Sequence, residues 1–268
     1  MGKIQNKTLI YNIQEFKPAL AETNCTWLII GKRRSGKSRV LFDLLHHTAP
    51  HYDISFAVAE TSDSYRRLRE IVPADKCKRK YEESFVSNVV KGMRSWHEAP
   101  DAPIRRGVLV LDDCLFNAGI MKSEAQREIY MNSRNFYLTS FTTTQYLVDI
   151  PPAIRTNIDY VLAMKDPSID NRKKLYKYFF GVFPSFKAFN TTFQQITKNY
   201  GVMVLDNTSS ECSVQGTIRK YRANPDIENF RLGKDVFFDI ADKKEKRLAT
   251  KRARLRNAKD VERVVISP

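Results

Sequence analysis

Short, uninterrupted apolar runs recur along this chain, separated by longer mixed stretches, and their spacing is that of strands alternating with helices. The run at 25–30 is apolar and β-prone. It stops at Gly31 and passes through a glycine-punctuated loop into a helix-like stretch at 38–47. A second strand is predicted at 54–59, followed by a charged, helix-compatible segment at 64–71, a basic loop at 75–80 and an amphipathic helix at 83–97. The residues Gly107-Val-Leu-Val-Leu-Asp112 suit a strand covered on both faces, as in a parallel sheet, with its acids at the C-terminal end. A helix at 123–132 and a strand at 135–142 follow; beyond Pro151-Pro152 come a strand at 159–164, helices at 168–180 and 186–198, and a strand at 202–206. The alternation predicts an α/β fold with a doubly wound sheet, and no internal repeat interrupts it.

Length and charge refine that picture. The 268 residues suffice for one large α/β domain plus a small appendage. From about Asp242 the apolar content falls and basic residues crowd together, so the expected division is a packed domain at 1–241 and a basic tail at 242–268. The formal charge of +15 points to a polyanionic partner, and nucleic acid fits best. No apolar run approaches the length of a spanning helix and the N-terminus lacks the apolar core of a signal peptide, so neither stable membrane insertion nor ordinary secretion is expected. Cys25, Cys77, Cys114 and Cys212 stand singly without metal-ligand spacing, which suits inert thiols in a reducing compartment. His46 and His47 are adjacent and would point in different directions on a helix, so they read as structural or surface residues.

The loop after the first strand carries chemistry. Gly31-Lys32-Arg33-Arg34-Ser35-Gly36-Lys37-Ser38 satisfies the G-x-x-x-x-G-K-[ST] pattern in full. Its glycines let backbone N–H groups curl toward phosphate oxygens, and the following helix offers its positive end. Lys37 is expected to reach the β- and γ-phosphates of ATP and Ser38 to place its hydroxyl on Mg²⁺, with Arg39 as the next residue along the nucleotide. Asp112 and Asp113 end an apolar strand, as the second half of such a site requires: Asp112 to orient the Mg²⁺ shell, Asp113 to polarise the attacking water. Gln145 stands just past the next predicted strand, where its amide could donate to the γ-phosphate or hold the water, or simply face solvent. Three arginines are candidates for the cation that phosphoryl transfer uses: Arg34 within its own subunit, Arg134 and Arg155 toward a neighbour's site.

The loop at Gly31, the Asp112-Asp113 pair, Arg134 before a strand ending in Gln145, and the stretch Pro152-Ala-Ile-Arg155-Thr-Asn157-Ile-Asp159-Tyr160-Val together resemble the poxvirus-type genome-packaging ATPases of large eukaryotic DNA viruses and their smaller relatives, within the FtsK/HerA superfamily. Thr197-Lys-Asn-Tyr200 and Tyr221-Arg-Ala223 are weaker matches, and the resemblance covers residues 26–234. It implies a RecA-like P-loop NTPase core with a mainly parallel central sheet flanked by helices, the sensor strand lying between the two nucleotide-site strands. It implies a homo-oligomeric ring of five or six subunits that drives double-stranded DNA into a preformed capsid, in contact with capsid or portal-vertex proteins. The site of action would be the virion or a viral assembly site in the host cytoplasm. Many superfamily members carry Glu after the magnesium Asp; this chain carries Asp113, which leaves the catalytic base open at this point. No large nuclease domain is expected after the ATPase.

Other functions compete. A helicase or another nucleic-acid-dependent ATPase would share the same motifs. A GTPase lacks support, because no Asn-Lys-x-Asp signature occurs, and a small-molecule kinase has no need of so much positive charge. A protein using ATP only as a structural ligand would not need Lys37, Asp112 and Asp113 together. The tail carries ten lysines and arginines against four acids between Asp242 and Arg263, a surplus of six charges. It could contact DNA, serve as a two-part nuclear import signal through Lys243-Lys244 and Lys251-Arg252, or be merely solvated. Removing residues 242–268 is expected to weaken duplex binding and flatten its salt dependence, by about 0.9 in the log–log slope for every phosphate that the tail neutralises. Titrations at several salt concentrations measure this, and an unchanged slope assigns the tail to another role.

Overall fold

The structure is a computed structural model that describes residues 11–114, 118–145 and 150–265. The N-terminal residues that bear on the expected absence of a signal peptide, and the last three residues of the tail, lie outside them. In chain order the elements are β1 (Gln14–Glu15), β2 (Thr26–Ile30), α1 (Lys37–Thr48), β3 (Ile54–Ala59), α2 (Ser62–Ile71), β4 (Cys77–Lys78), α3 (Glu83–Glu98) and β5 (Gly107–Asp112). Then follow α4 (Ala118–Met121), α5 (Glu124–Asn132), β6 (Leu138–Thr144), α6 (Pro152–Arg155), β7 (Tyr160–Met164), α7 (Ile169–Tyr178), α8 (Phe186–Ile196), β8 (Val202–Asp206), α9 (Val214–Thr217), β9 (Ile218–Tyr221) and α10 (Asp235–Val265).

The strands form one nine-stranded sheet in the order β1-β9-β8-β7-β2-β6-β5-β3-β4. Only β8 runs against the others, pairing antiparallel with both β7 and β9. The mainly parallel α/β architecture is therefore as expected, and β6 lies between β2 and β5, as the family resemblance implies. Alternate residues of each strand face opposite sides of the sheet. Trp27 and Ile29 turn to one side, where Val40, Leu41, Leu44 and Leu45 of α1 and Leu68 and Ile71 of α2 cover them. Leu28 and Ile30 turn to the other, toward α3, α5, α7 and α8 through residues such as Val90, Ile129, Leu175 and Phe189. Across the centre, Trp27 stacks between Phe141 of β6, with ring centroids 5.0 Å apart, and Tyr160 of β7, at 4.2 Å. Those three residues are direct partners in the strand register, so the ring row follows from the pairing itself.

Several boundaries differ from the sequence-based expectation. The strand predicted at 135–142 begins at Leu138 and runs to Thr144, because Ser133–Phe136 close α5 with a tighter turn that Tyr137 ends in the left-handed region at φ 55°. The predicted loop at 75–80 contains the two-residue edge strand β4. The helices predicted at 168–180 and 186–198 stop at Tyr178 and Ile196. Strands β1 and β9 are additions to the expected set; each is short and carries charged residues outward, so neither shows an apolar run. Helix α10 starts at Asp235 and passes through residue 242 without a break; Phe238 and Ala241 are buried, and residues 242–251 are exposed. Past that point Lys244 still pairs with Asp75 at 3.2 Å and Arg69 with Glu245. Cys25, Cys77 and Cys114 are buried and Cys212 is exposed, none of them in a disulfide. Among the described residues no helix is long and apolar enough to cross a membrane.

Truncating the central ring tests this packing. Trp27 is 1% exposed, so Trp27→Ala is expected to lower unfolding free energy by about 3–5 kcal/mol through lost burial and the cavity left behind. Leu20→Ala, at a residue 77% exposed, should change it by less than about 0.5 kcal/mol. Denaturant unfolding of the two variants side by side gives the comparison.

Candidate nucleotide site

Three neighbouring parallel strands, β2, β6 and β5, deliver their C-terminal ends to one edge of the sheet, the edge at which open α/β sheets bind ligands. The loop 31–36 leaves β2 there. It is tied to the sheet where the Gly31 N–H donates to the Thr144 carbonyl at 3.1 Å. A Cβ on Gly31 would lie 2.5 Å from the Ser35 hydroxyl and 3.0 Å from Met164 Sδ, so a larger residue there would have to push both side chains aside. Gly36 takes φ 96° and starts α1; Arg34, at φ 64°, adds a second left-handed residue to the curl. The fold thus turns the pattern read from the sequence into a loop with the expected strand before it and helix after it.

Lys37 sits in the first turn of α1 and is buried, its ammonium donating to the carbonyls of Gly31 at 2.8 Å and Lys32 at 3.3 Å. Burial pushes its pKa below the usual lysine range, while the carboxylates of Asp113 and Asp112 oppose that shift. Lys37, Ser38, Asp112, Asp113 and Gln145 all line one cleft of about 270 Å³, with Lys32, Arg33, Arg34, Gly36, Arg39, Thr61 and Ser64 completing its wall. Every residue named for the phosphate end of the site, apart from Gly31 and Ser35, reaches this cleft. Lys32 also pairs with Asp166 past the end of β7, at 3.2 Å.

The acids are organised by a residue that the sequence motifs do not include. Thr143 of β6 donates its hydroxyl to Asp112 Oδ1 at 2.7 Å, and the hydroxyl oxygen in turn accepts the Asp113 N–H at 2.9 Å. Asp113 stands at φ 50°, which swings its carboxylate out of the strand line toward Gln145, whose Nε2 donates to its Oδ1 at 3.0 Å and Oδ2 at 2.8 Å. Gln145 is therefore no free solvent-facing amide. The only signal for Thr143 in the sequence is the run Thr142-Thr143-Thr144, whose alternation across a strand places one hydroxyl next to the acids of β5.

Asp112 is 2% exposed, and its Oδ2 is buried without a hydrogen-bond partner. A buried carboxylate oxygen carries an unfavourable desolvation unless something compensates it, and a divalent cation does so. The donors in the cleft, a carboxylate and the Ser38 hydroxyl, are hard oxygens that suit Mg²⁺. Among the described residues no group of three or more His, Cys, Asp or Glu could hold a metal ion.

The arginines are distributed unequally. Arg34 is exposed within the loop and lines the cleft. Arg134 precedes β6, at the opposite edge of the sheet, seven strand residues and roughly 20 Å from the cleft. There it pairs with the buried Asp159, whose Oδ2 also accepts the Thr26 N–H at 2.8 Å. Arg155 ends α6 shortly before β7 begins, with its guanidinium 4.0 Å above the Tyr178 ring. Neither lines its own chain's cleft.

No family model matches the chain. Protein 075L of Invertebrate iridescent virus 6 is 30% identical over 185 residues, covering 69% of this chain and 71% of the relative. Protein L437 of Acanthamoeba polyphaga mimivirus is 27% identical over 221 residues, covering 80% and 77%. Among solved structures, the genome packaging NTPase B204 of Sulfolobus turreted icosahedral virus 2, in complex with AMPPCP, superposes with a TM-score of 0.51 at 14% identity, over 75% of this chain and 98% of that one. The likeness in structure establishes the fold and the identity in sequence establishes the kinship: the protein belongs to the family of the iridescent-virus protein 075L and has the fold of the genome packaging NTPase B204.

Proposed function

We propose that the protein is an ATP-hydrolysing motor that translocates double-stranded viral DNA into a preformed capsid. The observation that carries this reading is the continuous chain Asp112–Thr143–Asp113–Gln145, built across β5 and β6 and facing the loop that holds Lys37. A protein that only stored nucleotide would need the loop but not a carboxylate held beside it by an amide and a hydroxyl. Support for the DNA substrate comes from the charge of +15 and from the naming of the structurally similar B204 as a genome packaging NTPase.

In this mechanism the loop's N–H groups and Lys37 bind the β- and γ-phosphates. Ser38 and Asp112 would hold Mg²⁺, which when bound neutralises charge on the phosphate oxygens. Asp113, fixed by Gln145 and by its own N–H on Thr143, orients a water toward the γ-phosphorus. The water oxygen bonds to phosphorus as the bond to the β–γ bridging oxygen breaks. The water's proton passes to the Asp113 carboxylate, and ADP and inorganic phosphate leave. The shorter reach of Asp113 compared with Glu is offset by its left-handed backbone, which projects the carboxylate from the strand end.

The active form in this proposal is a homo-oligomeric ring of five or six subunits, working with capsid or portal-vertex proteins in the virion or at the viral assembly site. Arg155 and Arg134 lie away from their own chain's cleft, so either of them would act on a neighbour's, whereas Arg34 lines its own. Of the two, Arg155 is the better placed to be released, since it rests on a ring, whereas Arg134 is engaged with a buried carboxylate.

Displacement of a triplex-forming third strand from duplex DNA, followed together with ATP turnover, tests the function. The wild-type protein is expected to strip the third strand without separating the duplex; duplex separation instead makes it a helicase. Lys37→Ala should abolish both turnover and stripping, and Asp113→Asn should retain ATP binding while turnover falls at least 100-fold, roughly the scale of a lost general base.

A finger supplied in trans is worth about 10³ to 10⁵ in rate. Arg155→Ala alone should therefore be nearly silent while still binding ATP, and mixing it with Lys37→Ala subunits should restore part of the turnover. Arg134→Ala, run in parallel, separates the two candidates. If neither complements although mixed oligomers form, Arg34 in its own subunit takes the role.

A further inference from the structure

Lys37, the cation for the γ-phosphate, rests its ammonium on the Gly31 and Lys32 carbonyls at 2.8 and 3.3 Å, so those two residues mark the γ end of the loop. A second hollow adjoins that end. It is a cavity of about 440 Å³ between the loop and helix α7, floored by the buried Ile30, Met164 and Leu175. Lys32, Arg33 and Gln145 line both this cavity and the cleft, so the two share a wall.

Charge in the cavity follows from how α7 is held. Asn171, Lys174 and Leu175 share one face of the helix by their spacing, and all three line the cavity. The buried Arg172 fixes the helix beside the loop, donating to the Asp166 carbonyl at 2.6 Å and to Asn190 Oδ1 of α8 at 2.7 Å. Asp166 is the cavity's one acid among the described residues, and it is fully engaged. Its Oδ1 accepts the Ser168 N–H at 2.8 Å and pairs with Lys32 at 3.2 Å, while its Oδ2 accepts from Asn171 Nδ2 at 2.8 Å. Lys32 and Asp166 therefore cancel. Two cations remain: the exposed Arg33 and the half-buried Lys174, whose charged groups have no ion pair or hydrogen-bond partner among the described residues.

We propose that this cavity is a holding site for the inorganic phosphate that hydrolysis releases, with Lys174 its ligand from outside the loop. The proposal rests on the nucleotide-site reading and adds the fate of the product. Two free cations above an apolar floor suit a small multivalent anion, because the low local dielectric strengthens their attraction. The position beside the γ end of the nucleotide favours free phosphate over a backbone phosphate of DNA. After cleavage the anion passes Gln145 to reach Arg33 and Lys174, and from there solvent. The proton that Asp113 takes from the attacking water removes the charge assistance from its bond with the Gln145 amide, so the shared wall loosens as phosphate forms. The volume holds the anion with several of its waters, each of about 30 Å³.

Single turnover of ATP by the full chain with duplex DNA, followed in parallel by acid quench and by a fluorescent sensor of free phosphate, tests it. The quench reports cleavage wherever the phosphate sits, and the sensor reports only phosphate that has left. In the wild type free phosphate should lag behind cleavage. Lys174→Ala removes a charge-assisted hydrogen bond worth about tenfold or more in affinity, a loss that falls mainly on the rate of leaving. Its lag should shorten by about tenfold with cleavage unchanged, and Lys174→Arg should keep the wild-type lag. The proposal is overturned if the wild type shows no lag, if the lag of Lys174→Ala is unchanged or longer, or if its cleavage slows in step. It is also overturned if Lys174→Ala weakens duplex binding and leaves the lag alone, since the cation then serves a backbone phosphate. Lys37→Ala separates the two readings. Undiminished cleavage in its quench trace overturns the nucleotide site itself, whereas lost cleavage there beside an unaltered lag in Lys174→Ala overturns the holding site alone.

Discussion

Strand β6 has to be polar and buried at once. All seven of its residues, Leu-Thr-Ser-Phe-Thr-Thr-Thr, are inaccessible to solvent, and most of them carry hydroxyls that need partners. Thr139 accepts the Asn24 N–H at 3.1 Å, Thr142 accepts the Tyr130 hydroxyl at 3.0 Å, and Thr143 serves both Asp112 and Asp113. Each partner sits on a different element. A slip of β6 by one residue would turn every hydroxyl to the wrong face and strand the acids of β5, so the register of the sheet centre and the geometry of the cleft are one property.

The opposite edge of the sheet is tied as firmly. Asp159 accepts from the Thr26 N–H at 2.8 Å and the Thr26 hydroxyl at 3.1 Å while pairing with Arg134, so the starts of β2 and β7 and the turn before β6 converge on one carboxylate. Between the two edges runs the row Phe141-Trp27-Tyr160. A polar tie at each end and an aromatic row between them leave the three central strands little freedom to move independently.

The phosphate loop is legible in the sequence because its pattern is local: a strand, fixed glycines and a helix lie within a single stretch from Thr26 to Thr48. Asp112 and Asp113 are legible because they end a strand whose apolar run can be counted, whereas Gln145 follows a strand rich in hydroxyls and stands out through the family resemblance. What stays hidden depends on pairing between distant segments. Thr143 matters because β6 lies beside β5, and no periodicity within β6 reveals its neighbour. Tyr200 draws notice only as part of a motif; its exposure follows from left-handed backbone that composition does not report. Strands β1 and β9 escape detection because four or fewer residues give too little alternation to count, and they exist by pairing with each other and with β8.

The cysteines, unremarkable as a set, differ sharply in what reagents can reach. Burial raises the thiol of Cys25 to about 12 and that of Cys77 to about 11, and lifts Cys114 further still, so none of the three offers thiolate at neutral pH. Cys212 is exposed, in the connection after β8 and on the side of the sheet away from the phosphate loop. The native chain thus carries a single addressable thiol. A fluorophore or a crosslinker attached there marks each subunit once, at a known position remote from the nucleotide cleft, with no engineered cysteine and no background to remove.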